Sequence, residues 1–373
     1  MRRLIGVRRS SSWRYLRAVA SLNQEKTSFL LTAWLQALTV NSDGKKHLLR
    51  TDLHRGVRMQ KKLGIIGATV AALFALAACS SSTSSSEEAA PAPAKTIAII
   101  SPDYSAQPAA KTAIDEFVKA AEAAGFKTSL VDTMSDNAKV NGEITTAVSQ
   151  KVDAIVLAFG TPKEFGEGLA AAKAANVPVF GLDTGGTEDP ILVNVTTDNG
   201  FLGSASAQAM MDAIGKPGNI AMIVFDAFQP VQIRGAEAKK LFEAAGYKIV
   251  EYVQGDPADS TGFAKKTVND FLTKYPAGKI DGVWAGWDAS ALGAYQATQE
   301  AGRTEVKITG VDGQDFARAE VAKGGNWVAT MAQDWPTIAA TEVKIIQDFF
   351  AGTVPADKVV YVPGTVINKD NAK

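Results

Sequence analysis

The chain has 373 residues, 46% apolar and 21% charged, an ordinary globular balance in a chain too long for one domain of typical size. Its 39 Lys and Arg match its 39 Asp and Glu, but residues 1–62 hold 14 basic against 3 acidic side chains, leaving 25 basic against 36 acidic in residues 63–373. An acidic body with three arginines (Arg234, Arg303 and Arg318) excludes a nucleic-acid partner, because phosphate neutralisation needs clustered Lys and Arg.

Residues 1–58 are Arg-rich, carry a weak apolar patch from Phe29 to Val40 and contain both histidines, His47 and His54. They precede a complete export signal with its own Met59, so Met59 is the expected start, with 1–58 an upstream extension or a discarded leader. Residues 59–78 read as that signal: Lys61 and Lys62, then a 16-residue apolar run from Leu63 that ends in small residues. The run is shorter than the ~20 residues a spanning helix needs. Leu76-Ala77-Ala78-Cys79 resembles the bacterial lipobox, which implies cleavage before Cys79, diacylation of its sulfur and a membrane anchor. Two acyl chains hold a protein stably where one does not. Residues 79–95 are a Ser/Pro/Ala tract without apolar period, a flexible tether. Cys79 is the one cysteine, and the body beyond it has no histidine. Neither a Ser-His-Asp or Cys-His centre nor the usual zinc ligand set can be built there, so no metal or cofactor is expected.

From Thr96 short β-branched runs alternate with amphipathic stretches rich in Ala, Lys and Glu. Strands are predicted at Thr96–Ser101, Lys127–Val131, Ala154–Ala158, Val177–Leu182 and Leu192–Thr196. A second series follows at Ile220–Phe225, Lys248–Val253, Gly282–Ala285, Lys307–Val311 and Val328–Ala332. Helices are predicted at Ala109–Ala124, Asn141–Gln150, Glu164–Ala175, Leu202–Ile214, Ile233–Ala245, Thr261–Lys274 and Ser290–Ala301. Near-continuous apolar strands separated by helices mean parallel sheets covered on both faces. Ten strands in two similar series are too many for one sheet of this type. The reading is α/β, with two doubly wound, Rossmann-like lobes.

In such sheets ligands bind beyond the carboxyl ends of the strands. The residues there are Asp103 and Tyr104, Phe159, Asp183 to Gly186, Asp198 and Asn199, Asp226 and Phe228, Trp287 and Asp288, Asp312 and Gln314, and Gln333 to Trp335. No strand is followed by a glycine-rich phosphate loop. Carboxylates, amides and flat rings together suit a polyhydroxylated molecule: acceptors for its hydroxyls and rings over its C–H faces. An Asp after a strand also caps turns, and a strand-end aromatic also packs cores, so each position has a structural reading beside the binding one.

Thr96–Lys373 resembles the type I periplasmic sugar-binding proteins, the ribose-binding-like receptors of ABC importers. The resemblance is carried by Ile97–Ser101 (IAIIS), Val177–Asp183 (VPVFGLD), Thr197–Asn199 (TDN), Arg234-Gly235, Ala291–Ala294 (ALGA), Ile308–Gly313 (ITGVDG) and Ala329–Gln333 (ATMAQ). It implies a three-strand hinge near Thr197–Asn199, Gln333–Trp335 and Tyr361–Gly364. Lobe 1 is then 96–198 plus 335–362, and lobe 2 is 199–334 plus 363–373. It also implies that Asp183, Arg234, Asp312 and Gln333 contact the solute. Trp287, Asp103, Tyr104 and Phe159 join them as strand-end candidates. The family's Arg after the Asp183 position is Thr184 here, its Asn after the third strand is Phe159 or a neighbour, and its Asn before Asp288 is Trp287, which points to a ligand other than ribose.

The resulting expectation is a monomeric, lipid-anchored receptor on the extracytoplasmic face of a bacterial membrane. It takes a small neutral sugar or sugar alcohol and passes it to an ABC permease with its ATPase; it is not an enzyme. A sensor presenting its closed form to a chemoreceptor or histidine kinase is the alternative.

Overall fold

The computed structural model describes residues 93–372; the leader, the signal, Cys79 and most of the tether lie outside them. Twelve strands among these residues form two six-stranded sheets, each flanked by helices.

The first sheet contains β1 (Thr96–Ser101), β2 (Lys127–Asp132), β3 (Ala154–Ala158), β4 (Val179–Leu182), β5 (Ile191–Thr197) and β11 (Val359–Val362). Their order is β11-β5-β4-β3-β1-β2, and every pair is parallel. Burial follows position: central β3 is buried at all five residues, whereas edge strand β2 has only exposed and half-buried ones. Helices α1 (Pro108–Ala123) and α9 (Trp335–Phe350) cover one face, with Ile114 and Phe117 against Ile338 and Val343. Helices α2 (Asn137–Ser149) and α3 (Gly166–Ala174) cover the other through Val140, Ile144 and Leu169. Each such aliphatic or aromatic side chain contributes about 1.5–3 kcal/mol by leaving water.

The second sheet contains β6 (Asn219–Val224), β7 (Lys248–Gln254), β8 (Gly282–Ala285), β9 (Lys307–Asp312), β10 (Trp327–Ala332) and β12 (Thr365–Asn368), in the order β12-β10-β9-β8-β6-β7. Helices α4 (Asn199–Ile214) and α5 (Gln229–Ala244) lie on one face, and α6 (Ser260–Lys274), α7 (Asp288–Glu300) and α8 (Asp315–Ala322) on the other. The all-parallel expectation fails at β12, which runs antiparallel to β10. It enters from the neighbouring sheet as an edge strand rather than through a helical crossover. The chain passes between sheets after β5, after β10 and between β11 and β12.

Several helices begin earlier than their apolar period. Asp136, Asp198 and Asp259 each accept a backbone N–H from the first turn, so α2, α4 and α6 start at their caps. Strand β4 begins at Val179 because Pro178 has no N–H to give, although its carbonyl still accepts from Ile155 at 2.9 Å. Two helices, α8 and α9, and the short strands β11 and β12 lie outside the predicted elements.

Candidate functional site

The carboxyl ends of both sheets meet around a cavity of about 110 Å³. Asp103 follows β1, Phe159 follows β3, Asp183 follows β4, Trp287 follows β8 and Asp312 ends β9; all five line it. Three of them, Phe159 (φ 58°), Asp183 (φ 47°) and Asp312 (φ 123°), have positive φ without being glycine. Such backbone costs on the order of 1–3 kcal/mol per residue and persists only where the surroundings hold it. Here the sheet does so: Phe159 N donates to Leu182 O and Asp183 N to Val195 O, each at 2.9 Å.

Arg234, 2% exposed on α5, is the centre of the charge arrangement. Its Nε donates to Asn199 Oδ1 at 2.6 Å, and its Nη1 to Gly286 O at 3.2 Å and Asp312 Oδ1 at 3.3 Å. Helix α4 approaches closely enough to deliver Asn199 because Gly203 faces the Arg234 backbone with no room for a Cβ. Gln333 Nε2 donates to the same Asp312 oxygen at 3.1 Å. From the other lobe, Asp183 Oδ1 accepts from Thr196 Oγ1, while its buried Oδ2 has no protein partner.

Burial dominates the titration of these groups. It pushes Asp183 above the usual carboxylate range, with Arg234 and the Thr196 hydroxyl pulling back. It lifts Asp312 to about 6; Arg234 and Gln333 pull it down and Asp183 adds to the rise. Asp103 also reaches about 6, through burial first and Asp132 second. Asp288, beneath Asp312, is raised well above 3.8 by burial and by Asp312; it accepts from Thr330 Oγ1 at 2.7 Å and Gln314 N at 2.9 Å.

The cavity lid joins the two lobes directly. Gln107 Nε2 donates to Ser260 Oγ at 2.9 Å and to Pro257 O, and Thr161 Oγ1 donates to Ala227 O at 3.1 Å. Phe159 stacks on Phe228 across the gap, with centroids 6.2 Å apart at 19°. Gly185 lets the loop pass: a Cβ there would sit 3.1 Å from the Phe228 ring.

Of the eight expected site residues, six line the cavity: Asp103, Phe159, Asp183, Arg234, Trp287 and Asp312. Gln333 stands behind Asp312 and orients it. Tyr104 is a correction. Its hydroxyl donates to Asp115 at 2.9 Å and accepts from Lys111 at 3.1 Å, on the outer side of α1. The tight turn in which Gln107 N donates to Asp103 O brings Asp103 and Gln107 to the cavity, while Tyr104 pairs outside it. Trp284 is fully buried and donates to Ser206 at 2.8 Å, whereas Trp287 reaches the cavity. Gln107 and Ser260 are not among the expected residues, and Asn199, one of the strand-end positions, carries no expectation of a bond to Arg234. Asn199 opens a helix and Ser260 follows an Asp cap, so both look like ordinary helix starts.

A family model for the periplasmic binding protein domain matches residues 97–353, and the chain belongs to that family. It is 28% identical over 281 residues to the D-apiose import binding protein of Actinobacillus succinogenes, covering 74% of this chain and 89% of that one. It is 27% identical over 319 residues to the xylitol-binding protein of Mycolicibacterium smegmatis, covering 84% and 88%. A crystal structure of an ABC transporter solute-binding protein from Agrobacterium vitis with bound allitol superposes with a TM-score of 0.71. That match has 27% identity and covers 75% of this chain and 97% of the other.

Proposed function

We propose that the protein is an extracytoplasmic receptor that captures one small neutral sugar or sugar alcohol between its lobes and hands it to an ABC permease. The observation that carries this reading is the convergence of Asp183 from one lobe with Arg234, Asp312 and Trp287 from the other on a single cavity. Carboxylates and a guanidinium pair with hydroxyls, and the rings cover C–H faces. The relatives named for apiose and xylitol, and the similar structure with bound allitol, support the same chemistry.

Closure is the second part of the reading. All the contacts exist together only when the lobes meet, so solute favours the closed form and shifts the population toward it. Three chain crossings act as the hinge, and the closed outline is what a permease recognises. Diacylated Cys79 and the tether keep the receptor beside its transporter.

A thermal-shift screen of tetroses, pentoses, hexoses and sugar alcohols on the full chain tests the reading. A solute at 100 times its Kd adds about 2.7 kcal/mol of stability. An amino acid or a nucleoside as the sole stabilising compound would overturn it.

A further inference from the structure

The cavity wall has spent most of its side-chain donors on the protein itself. Trp287 Nε1 donates to Ser260 Oγ at 2.9 Å, and Gln107 Nε2 is held by the same Ser260 and by Pro257 O. Asn137 Nδ2 donates to Glu164 Oε2 at 2.8 Å, and Thr161 Oγ1 to Ala227 O at 3.1 Å. The partners of both amides include a carbonyl or a carboxylate, which can only accept, so the amide orientations are determined by chemistry. Arg234 commits Nε and Nη1 to Asn199, Gly286 and Asp312. Its Nη2, the second N–H of Asn137 Nδ2 and the hydroxyl of Ser135 are the remaining side-chain donors on the wall.

Acceptors are in the opposite state. Asp183 Oδ2 is buried with no protein partner. Both side-chain bonds to Asp312 go to Oδ1, leaving Oδ2 without one, and the carboxylate of Asp103 accepts from no protein group among the described residues. Gln333 Oε1, just behind Asp312, is buried and unpaired as well. Phe159 and Thr184 do nothing to redress the imbalance. Phe159 has no polar atom, and Thr184 Oγ1 turns away to Phe159 O at 3.0 Å and Gly160 O at 3.2 Å.

A wall rich in acceptors and poor in donors selects a ligand whose every oxygen carries a hydrogen. In an acyclic sugar alcohol each oxygen is a hydroxyl. In a cyclic aldose of the same carbon number one oxygen closes the ring and can only accept, so it competes for Arg234 Nη2 and leaves one carboxylate oxygen unanswered. From this juxtaposition of free carboxylate oxygens and committed donors we infer that the site is specific for acyclic polyols over ring sugars. The inference rests on the proposed solute-receptor function and narrows its substrate class. A hydrogen bond to a charged group is one of the stronger contacts a neutral ligand makes, and losing one costs about tenfold or more in affinity.

The experiment is calorimetric titration of the full chain with alditols of four to six carbons, with the aldose from which each is formed by reduction, and with an amino sugar. The expected result is that the tightest ligand is an alditol, at least tenfold stronger than its parent aldose. An aldose that binds as tightly as its alditol overturns the inference while leaving the receptor function standing. An amino sugar as the tightest ligand also overturns it, since the acceptors would then be reading a cation. Binding of none of these overturns both. Asp103→Asn, at the half-buried rim, adds a donor to the wall and is expected to shift the alditol-to-aldose ratio several-fold toward the aldose. If both affinities in that variant fall equally, with the ratio unmoved, donor supply is not what sets the choice.

Discussion

The two lobes contribute carboxylates to the cavity in different ways. The second-sheet lobe pairs its own: Asp312 is held by Arg234 and Gln333, and Asp288 below it by Thr330 and the backbone of Gln314. The first-sheet lobe leaves its own carboxyls short of partners. Asp183 has one oxygen bonded to Thr196 and one free, and Glu342 on α9 is fully buried with no bond to either oxygen. One lobe is therefore a preorganised charged platform, and the other offers an acceptor whose partner must come from the cavity. A buried charge is tolerated where partners answer it and is costly where they do not. On this view the platform lobe orients the solute and the unsatisfied lobe gains by closing over it.

The largest effect expected from breaking this asymmetry is at Arg234. Arg234→Ala leaves Asp312 and Asp183 buried without their cation, and losing one partner of a buried pair costs about 3–5 kcal/mol. Thermal unfolding should show that loss together with abolished solute binding. Asp183→Ala, in contrast, removes a side chain that holds little of the fold. Affinity should fall by roughly 10- to 150-fold, as expected for a hydrogen bond to a charged group, with the unfolding midpoint nearly unchanged. Equal loss of stability in the two variants would erase the distinction between the lobes.

Titration sharpens it further. Asp103 and Asp312 ionise near pH 6, and hydroxyl recognition needs their carboxylate forms. Solute affinity should rise by up to about tenfold for each of the two groups from pH 5 to pH 7 and then level, because a group with pKa 6 is only about one-tenth ionised at pH 5. Stability without solute moves the other way. Carboxyls whose folded pKa is raised bind protons more readily when folded, so their contribution is present below the unfolded value near 4 and is lost as pH rises through the folded value. Glu342→Gln should flatten that fall at its upper end, measured as the unfolding midpoint against pH.

The smallest effect concerns the seam between the lobes. Gln107→Ala deletes the bonds to Ser260 and Pro257 without touching either core. A neutral hydrogen bond is worth about 0.5–1.5 kcal/mol, so affinity should drop only about 2- to 12-fold for each of the two bonds. Small-angle scattering should then show more of the open form at a given solute concentration.

What could be read directly from the amino acids was the architecture. Continuous Ile, Val and Ala runs such as β3 and β6 mark strands covered on both faces, and their repetition in two series marks two sheets. Strand ends then nominated Asp183, Asp312, Trp287 and Phe159, because ligand sites of doubly wound sheets lie there. The edge strands β11 and β12 were not legible: four residues each, they owe their state to the sheets they join, and the antiparallel sense of β12 follows from its entry off the neighbouring lobe. Nor could local pattern tell Asp103 from Tyr104, adjacent in one turn, or reveal that Asn199 grips Arg234 across 35 positions. Which donors are already spent and which acceptors stay free is a property of pairs distant in sequence. Gln107 and Ser260 are 153 residues apart, and only the folded packing of one lobe on the other brings them to 2.9 Å.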